Sequence, residues 1–140
     1  MAMEVFETQK YFWTTYRKSD ESYINAVNKW LTDNCEYDYT SENNGAEHCA
    51  IGPIRYKMAV CSGFAEFFDE MLTYAGIPSM TITGTGNGGA HGWNMVYFND
   101  KYYYFDCTEN VCLKTEDAFV WRSLAEVPHV AYDYMKEYLK

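Results

Sequence analysis

Three residues could together perform nucleophilic catalysis: Cys61, His91 and Asp106. Cys61 directly precedes the clearest helical pattern in the chain, residues 62–75, where Phe64, Phe67, Phe68, Met71, Leu72 and Ala75 recur at helical spacing. A helix start leaves backbone N–H groups unpaired and carries the positive end of the helix dipole. A thiol placed there is favoured as the thiolate, its nucleophilic form. The same N–H groups could hold the oxyanion of a tetrahedral intermediate. Taken alone, a buried cysteine packing against a helix end is the more ordinary explanation.

His91 and Asp106 change that balance. They sit on two strand-like runs, 91–98 and 101–107, joined by Asn99-Asp100. A two-residue or four-residue turn there pairs Trp93 with Asp106 and makes His91 and Asp106 diagonal neighbours on one sheet face. A three-residue loop would place them on opposite faces. A carboxylate beside an imidazole fixes its tautomer and stabilises the imidazolium, the third role in a nucleophile–base–orienter set. Singly, each residue reads as an ordinary strand-end side chain; the constellation points to nucleophilic catalysis.

The elements that must position these groups are partly legible. Residues 21–34 read as a helix, with Ile24, Val27, Trp30 and Leu31 on one face and Ser19 or Asp20 as its cap. Residues 3–17 are aromatic-rich and ambiguous between helix and strand. Residues 36–54 read as loop. Gly76 is expected to end the 62–75 helix in a left-handed conformation, with Pro78 following. Ser79–Thr83 is a predicted strand, and Gly84–Ala90 a mobile glycine-rich rim loop beside His91. Residues 115–122 and 131–138 are expected to be helical. Helices first, then strands in hairpin order, indicate an α+β fold with an antiparallel sheet.

Composition excludes several classes. The 140 residues, 48% hydrophobic and 22% charged, suit one domain, whole or excised from a longer protein. A formal charge of −9 argues against nucleic acid as a partner. Neither a membrane span nor a signal peptide is expected. Gly84-Thr85-Gly86-Asn87-Gly88-Gly89 matches a dinucleotide-loop pattern, but it opens a strand rather than a helix, so no cofactor is expected. The cysteines Cys35, Cys49, Cys61, Cys107 and Cys112 contain no C-x-x-C and no zinc spacing, so no metal is expected. Either Cys35–Cys49 and Cys107–Cys112 are disulfides, favouring an extracellular or cell-surface setting, or all five are reduced, favouring the cytoplasm. His48 and His129 read as surface or loop histidines.

Several segments resemble the transglutaminase-like superfamily core, and its bacterial members in particular. These are Val60-Cys61-Ser62-Gly63-Phe64-Ala65, Ala75-Gly76-Ile77-Pro78, Ala90-His91-Gly92-Trp93-Asn94-Met95-Val96, and Tyr102–Asp106 followed by Cys107-Thr108. Upstream, Trp30-Leu31 and Glu36-Tyr37-Asp38-Tyr39 resemble the helix and tyrosine-rich segment before that core, so the similarity spans residues 24–108. The resemblance implies a papain-like α+β fold with the nucleophile helix packed on an antiparallel sheet. It also implies Cys61 as nucleophile, His91 as base and Asp106 as orienter. Arg55 is not the glutamine that papain places before its cysteine, which leaves Tyr37, Tyr39 and Tyr56 as candidates for a second oxyanion donor. The activity implied is cysteine-dependent acyl transfer on a peptide or protein substrate. Amide or peptide hydrolysis is the first reading, protein crosslinking the second, and a catalytically inert binding module the third. The oligomeric state is left open.

Overall fold

The computed structural model describes residues 2–40, 45–86, 89–109, 120–122 and 128–131. Three helices each turn an apolar stripe toward one shared core. In α1 (Ala2–Tyr16) that stripe is Val5, Phe12 and Tyr16. This settles the ambiguity of residues 3–17 in favour of helix: Phe6, Tyr11 and Trp13 remain exposed, so the aromatic richness was not a strand signal. In α2 (Asp20–Asn34) Tyr23, Ile24, Val27 and Leu31 are buried, and the Ser19 hydroxyl caps the helix by accepting from the Ser22 N–H at 3.1 Å. In α3 (Cys61–Tyr74) Phe64, Phe67, Phe68, Met71 and Leu72 fill the space between the other helices and the sheet. Gly76, at φ 77°, ends it in the left-handed region as expected.

Between α2 and α3 lies more structure than the predicted loop. A short strand β1 (Glu36–Tyr37) pairs in parallel with β2 (Met58–Ala59), and a 3-10 turn spans Ala46–His48. A π-helical turn covers Gly52–Tyr56. Strands of two residues are too short to show a period of two, which is why this segment reads as loop.

The main sheet is antiparallel, in the order β5-β4-β3-β7-β6. Its strands are β3 (Ser79–Gly86), β4 (Gly89–Phe98), β5 (Lys101–Phe105), β6 (Val120–Arg122) and β7 (Pro128–Ala131). The β4–β5 hairpin has a two-residue turn, Asn99 and Asp100, both at positive φ (54° and 61°), which matches the twist of the strands it joins. Val96, Phe98 and Phe105 join the helical core, whereas Ile82, Trp93, Tyr104 and Ala131 form a second cluster. The Asn94 side-chain amide donates to the Ala65 carbonyl at 2.9 Å and ties β4 to α3.

Some expectations need correction. Gly84–Ala90 lines the cleft beside His91 as expected, but as strand rather than loop: Gly84, Thr85 and Gly86 pair with His91, Ala90 and Gly89 across the β3–β4 ladder, and 87–88 lie outside the described residues. Its glycines answer to packing. A Cβ on Gly84 would lie 2.1 Å from the Val130 carbonyl oxygen, so glycine is what lets β7 pair there. Residues 120–122 form β6 rather than part of a helix, and Ala131 ends β7; residues 115–119 and 132–138 lie outside the described residues. The 101–107 run leaves the strand after Phe105 and turns into a 3-10 segment, Cys107–Glu109. Cys35 and Cys49 are free thiols rather than a disulfide, and burial pushes Cys35 up to about 11. Cys112 and His129 fall where side chains are not described.

Candidate active site

Cys61 is the first residue of α3, and the residue before it, Val60, has an extended backbone and no side chain able to cap the helix. The free N–H groups of the first turn therefore remain available to the thiol. Burial alone would raise the Cys61 pKa. Its hydrogen bond to His91, the His91 charge, and the backbone N–H groups of Gly92 and Ser62 outweigh that effect and hold the thiol below its ordinary value.

His91 Nε2 and Asp106 Oδ2 are 2.6 Å apart, with the carboxyl fully buried. The two-residue turn thus brings these residues together as diagonal neighbours of one hairpin. Asp106 is itself fixed, because its Oδ1 accepts from the Thr108 N–H at 3.0 Å. With Nε2 engaged by Asp106, Nδ1 is the ring nitrogen left for Cys61. Burial works against the imidazolium, but the hydrogen bonds and charges of Asp106 and Cys61 prevail and push His91 up to about 10. A lowered thiol beside a raised imidazole is the signature of a thiolate–imidazolium pair.

Cys61 and His91 open onto a cleft of about 490 Å³, with Asp106 buried behind the imidazole. One wall is the sheet, with Thr83, Gly84, Ala90, His91 and Gly92; the other carries Tyr37 and His48; the start of α3 lies between them. Of the three tyrosines considered for oxyanion binding, Tyr37 lines the cleft, while Tyr39 and Tyr56 are 88% and 41% exposed and do not. Burial and then the nearby Cys61 charge raise the Tyr37 pKa, which keeps its hydroxyl a donor. His48, which reads as a surface histidine from sequence, is exposed yet lines this cleft. No spacing signal could have found it, since it lies in an aperiodic segment. Among the described residues, no three His, Cys, Asp or Glu side chains gather as a metal-binding group, and no helix is long and apolar enough to cross a membrane.

Gly86 makes room for the imidazole: a Cβ there would come within 3.0 Å of His91 Cδ2 and 3.2 Å of Cγ. Gly86→Ala is expected to displace the ring by tenths of an ångström and lower any turnover roughly tenfold, for about 1 kcal/mol of stability. Parallel rate and thermal-melt measurements check it; a melt shift with an unchanged rate would show that the ring has slack.

Residues 11–107 match the family model of the Transglutaminase-like superfamily. The chain belongs to that superfamily. Solved structures agree at the level of fold. A candidate cysteine protease from Cytophaga hutchinsonii superposes with TM-score 0.64 at 23% identity, over 79% of this chain and 41% of its own. A protein described as a TGase has TM-score 0.64 at 17% identity, over 86% of this chain and 34% of its own. A candidate protease from Parabacteroides distasonis has TM-score 0.54 at 13% identity, over 79% of this chain and 27% of its own. The transglutaminase-like chain described here thus spans less than half the length of each of these structures. No curated protein matches the sequence. The observed α+β architecture, with the Cys61 helix on an antiparallel sheet, is the papain-like arrangement expected of a transglutaminase-like core.

Proposed function

We propose that this transglutaminase-like chain is a cysteine-dependent acyl-transfer enzyme that cleaves amide or peptide bonds through a thioester. The observation that carries the reading is the 2.6 Å pairing of His91 with buried Asp106, with Cys61 and His91 lining the same cleft at the start of α3. The Cys61 thiolate attacks the substrate carbonyl carbon and an S–C bond forms. The oxyanion is held by N–H groups at the start of α3 and by the Tyr37 hydroxyl. As the C–N bond breaks, imidazolium Nδ1–H protonates the leaving amine. Neutral His91 then takes a proton from the attacking water, the thioester C–S bond breaks, and the acid leaves with the thiolate–imidazolium pair restored. Asp106 holds the tautomer throughout. The net charge of −9 favours a neutral or cationic peptide or protein as substrate.

Treatment with p-nitrophenyl acetate, read by intact and peptide mass spectrometry, tests this. The expected result is one acetyl group on Cys61 and none on Cys35, whose raised pKa makes it a poor nucleophile. Acetylation spread evenly over the thiols, or absent, would leave the chain an inert member of the superfamily.

A further inference from the structure

A second groove leaves the catalytic cleft along α3. Ser62, Ala65, Glu66, Asp69 and Glu70 recur at i, i+3, i+4, i+7 and i+8, so they share one face of the helix and lead away from Cys61. Opposite them, Thr81 and Thr83 alternate with the buried Ile82 and Gly84 on β3 and form the other wall. The space between the walls is about 390 Å³. Ser62, Thr83 and Gly92 line both the groove and the cleft, so the two are continuous. Gly92 keeps their junction open: a Cβ there would stand 4.0 Å from Ser62 Cα and 3.6 Å from the Ile82 carbonyl oxygen, in the gap between helix and sheet.

The helix wall is acidic and its charge is unmet. Glu66, Asp69 and Glu70 are half-buried, and among the described residues none of them has a lysine, arginine or histidine nitrogen within 4 Å. Their partners are neutral: the Ala50 N–H for Glu66, the Ser79 hydroxyl at 2.6 Å for Asp69, and the Gln9 amide at 3.4 Å for Glu70. Burial, and then the neighbouring Glu70 charge, raise the Glu66 carboxyl above its ordinary value, and burial raises Asp69 despite its hydroxyl bonds. A further acceptor lies at the base of the groove. Asn94 is 1% exposed, stands opposite Thr81 in the β3–β4 ladder and donates to the Ala65 carbonyl, which leaves its Oδ1 without a partner. Carboxylates beside an orphaned carbonyl oxygen make a site whose missing component is a cation bearing N–H groups.

We infer that this groove is a specificity subsite for a lysine or arginine side chain of the peptide substrate, held by Glu66 and Glu70 while the peptide bond to be cleaved lies at Cys61. The helix rise of 1.5 Å per residue puts Glu66 about 7 Å and Glu70 about 13 Å along α3 from Cys61. An extended peptide advances about 3.3 Å per residue, so the basic residue falls roughly two to four positions from the scissile bond. Asp69 stands outside the recognition pair, because the Ser79 and Thr73 hydroxyls hold it as a tie between α3 and β3. Glu66 and Glu70 are not among the groups that set the Cys61 thiolate, which are His91, Gly92 and Ser62, so they can select a substrate without altering the nucleophile.

This rests on the acyl-transfer reading, and one experiment separates their failures. Internally quenched peptide pools, randomised over neutral residues, carry one fixed position that is scanned along the chain as lysine or norleucine, and as arginine or citrulline. Mass spectrometry locates the cleaved bond, and p-nitrophenyl acetate reports the reactivity of Cys61 separately. Wild type is expected to cleave the cationic member of a pair roughly tenfold or more faster in kcat/KM at a position two to four residues from the scissile bond. The double variant Glu66→Gln with Glu70→Gln is expected to bring that preference within about twofold and to leave acetylation of Cys61 within about twofold of wild type. Equal cleavage of cationic and neutral members at every position overturns the inference, as does a preference that survives in the double variant. A loss of acetylation in step with the loss of preference also overturns it, because the two carboxylates would then act on the nucleophile. A wild type that acetylates Cys61 but cleaves no peptide overturns it alone. A wild type that never acetylates Cys61 overturns the acyl-transfer reading with it.

Discussion

Cys61→Ala is expected to lower turnover of any amide or ester substrate by roughly 10⁴-fold or more while leaving the fold intact. No other side chain of the cleft can form the thioester, and the remaining donors can only polarise a carbonyl for attack by free water. The fold should tolerate the change because the residue opens α3 without belonging to its buried stripe, and alanine is the best helix former. A stability change within about 1 kcal/mol is the expected size for such a site. The variant should also register at His91. Removing the thiolate deletes one of the two partners that raise the imidazole, so its pKa should fall from about 10 while Asp106 still holds it up. Turnover assays, thermal melts and NMR titration of His91 test the three parts. Retained turnover would remove Cys61 from the mechanism, and an unmoved His91 would mean that the thiol and imidazole are not partners.

Legibility in the sequence followed how local each signal was. The α3 helix could be read because Phe64, Phe67, Phe68, Met71 and Leu72 fall on a single face, and the β4–β5 hairpin because Asn99-Asp100 tolerates the positive φ of a two-residue turn. Those two elements carry Cys61, His91 and Asp106, so the candidate site was the most readable part of the chain. α1 was harder because Phe6, Tyr11 and Trp13 stay exposed opposite the buried Phe12, which blurs its periodicity. The Gly84–Ala90 segment was misread for a different reason. Glycine argues locally for a loop, yet here it serves contacts with β7 and with the His91 ring, and those depend on distant residues. His48 was invisible as a cleft residue because the backbone bond from Val60 to Glu47 brings it there. Short strands such as β1, β2 and β6 exist only through their partners.

Asp106→Asn is expected to cost about 10²- to 10⁴-fold in kcat/KM, with a change in the pH profile that identifies the cause. In the wild type, Asp106 Oδ1 accepts from the Thr108 N–H while Oδ2 faces His91 Nε2. Asparagine has only one acceptor oxygen. If it keeps the Thr108 bond, its NH2 group meets Nε2, which must then become an acceptor. The ring proton is driven onto Nδ1, and the imidazolium loses its counter-charge. The active form requires the Cys61 thiolate and His91 imidazolium together, so wild-type activity should rise on an acid limb below the ordinary thiol value and fall on an alkaline limb near 10. In the variant both limbs should move inward: the thiol rises without a stable imidazolium, and the imidazole falls without the carboxylate. Stability carries the same sign. A histidine raised from 6.5 to about 10 on folding contributes stabilisation that is fully present below 6.5 and vanishes as the pH climbs through about 10. Wild type should therefore lose stability relative to the variant between those values, and their melting curves should converge in alkali. Reactivity of Cys61 toward iodoacetamide, followed across pH, should shift to higher pH in the variant. A variant whose limbs stay in place while its rate drops would mean that Asp106 only positions the ring sterically, with no part in setting its charge.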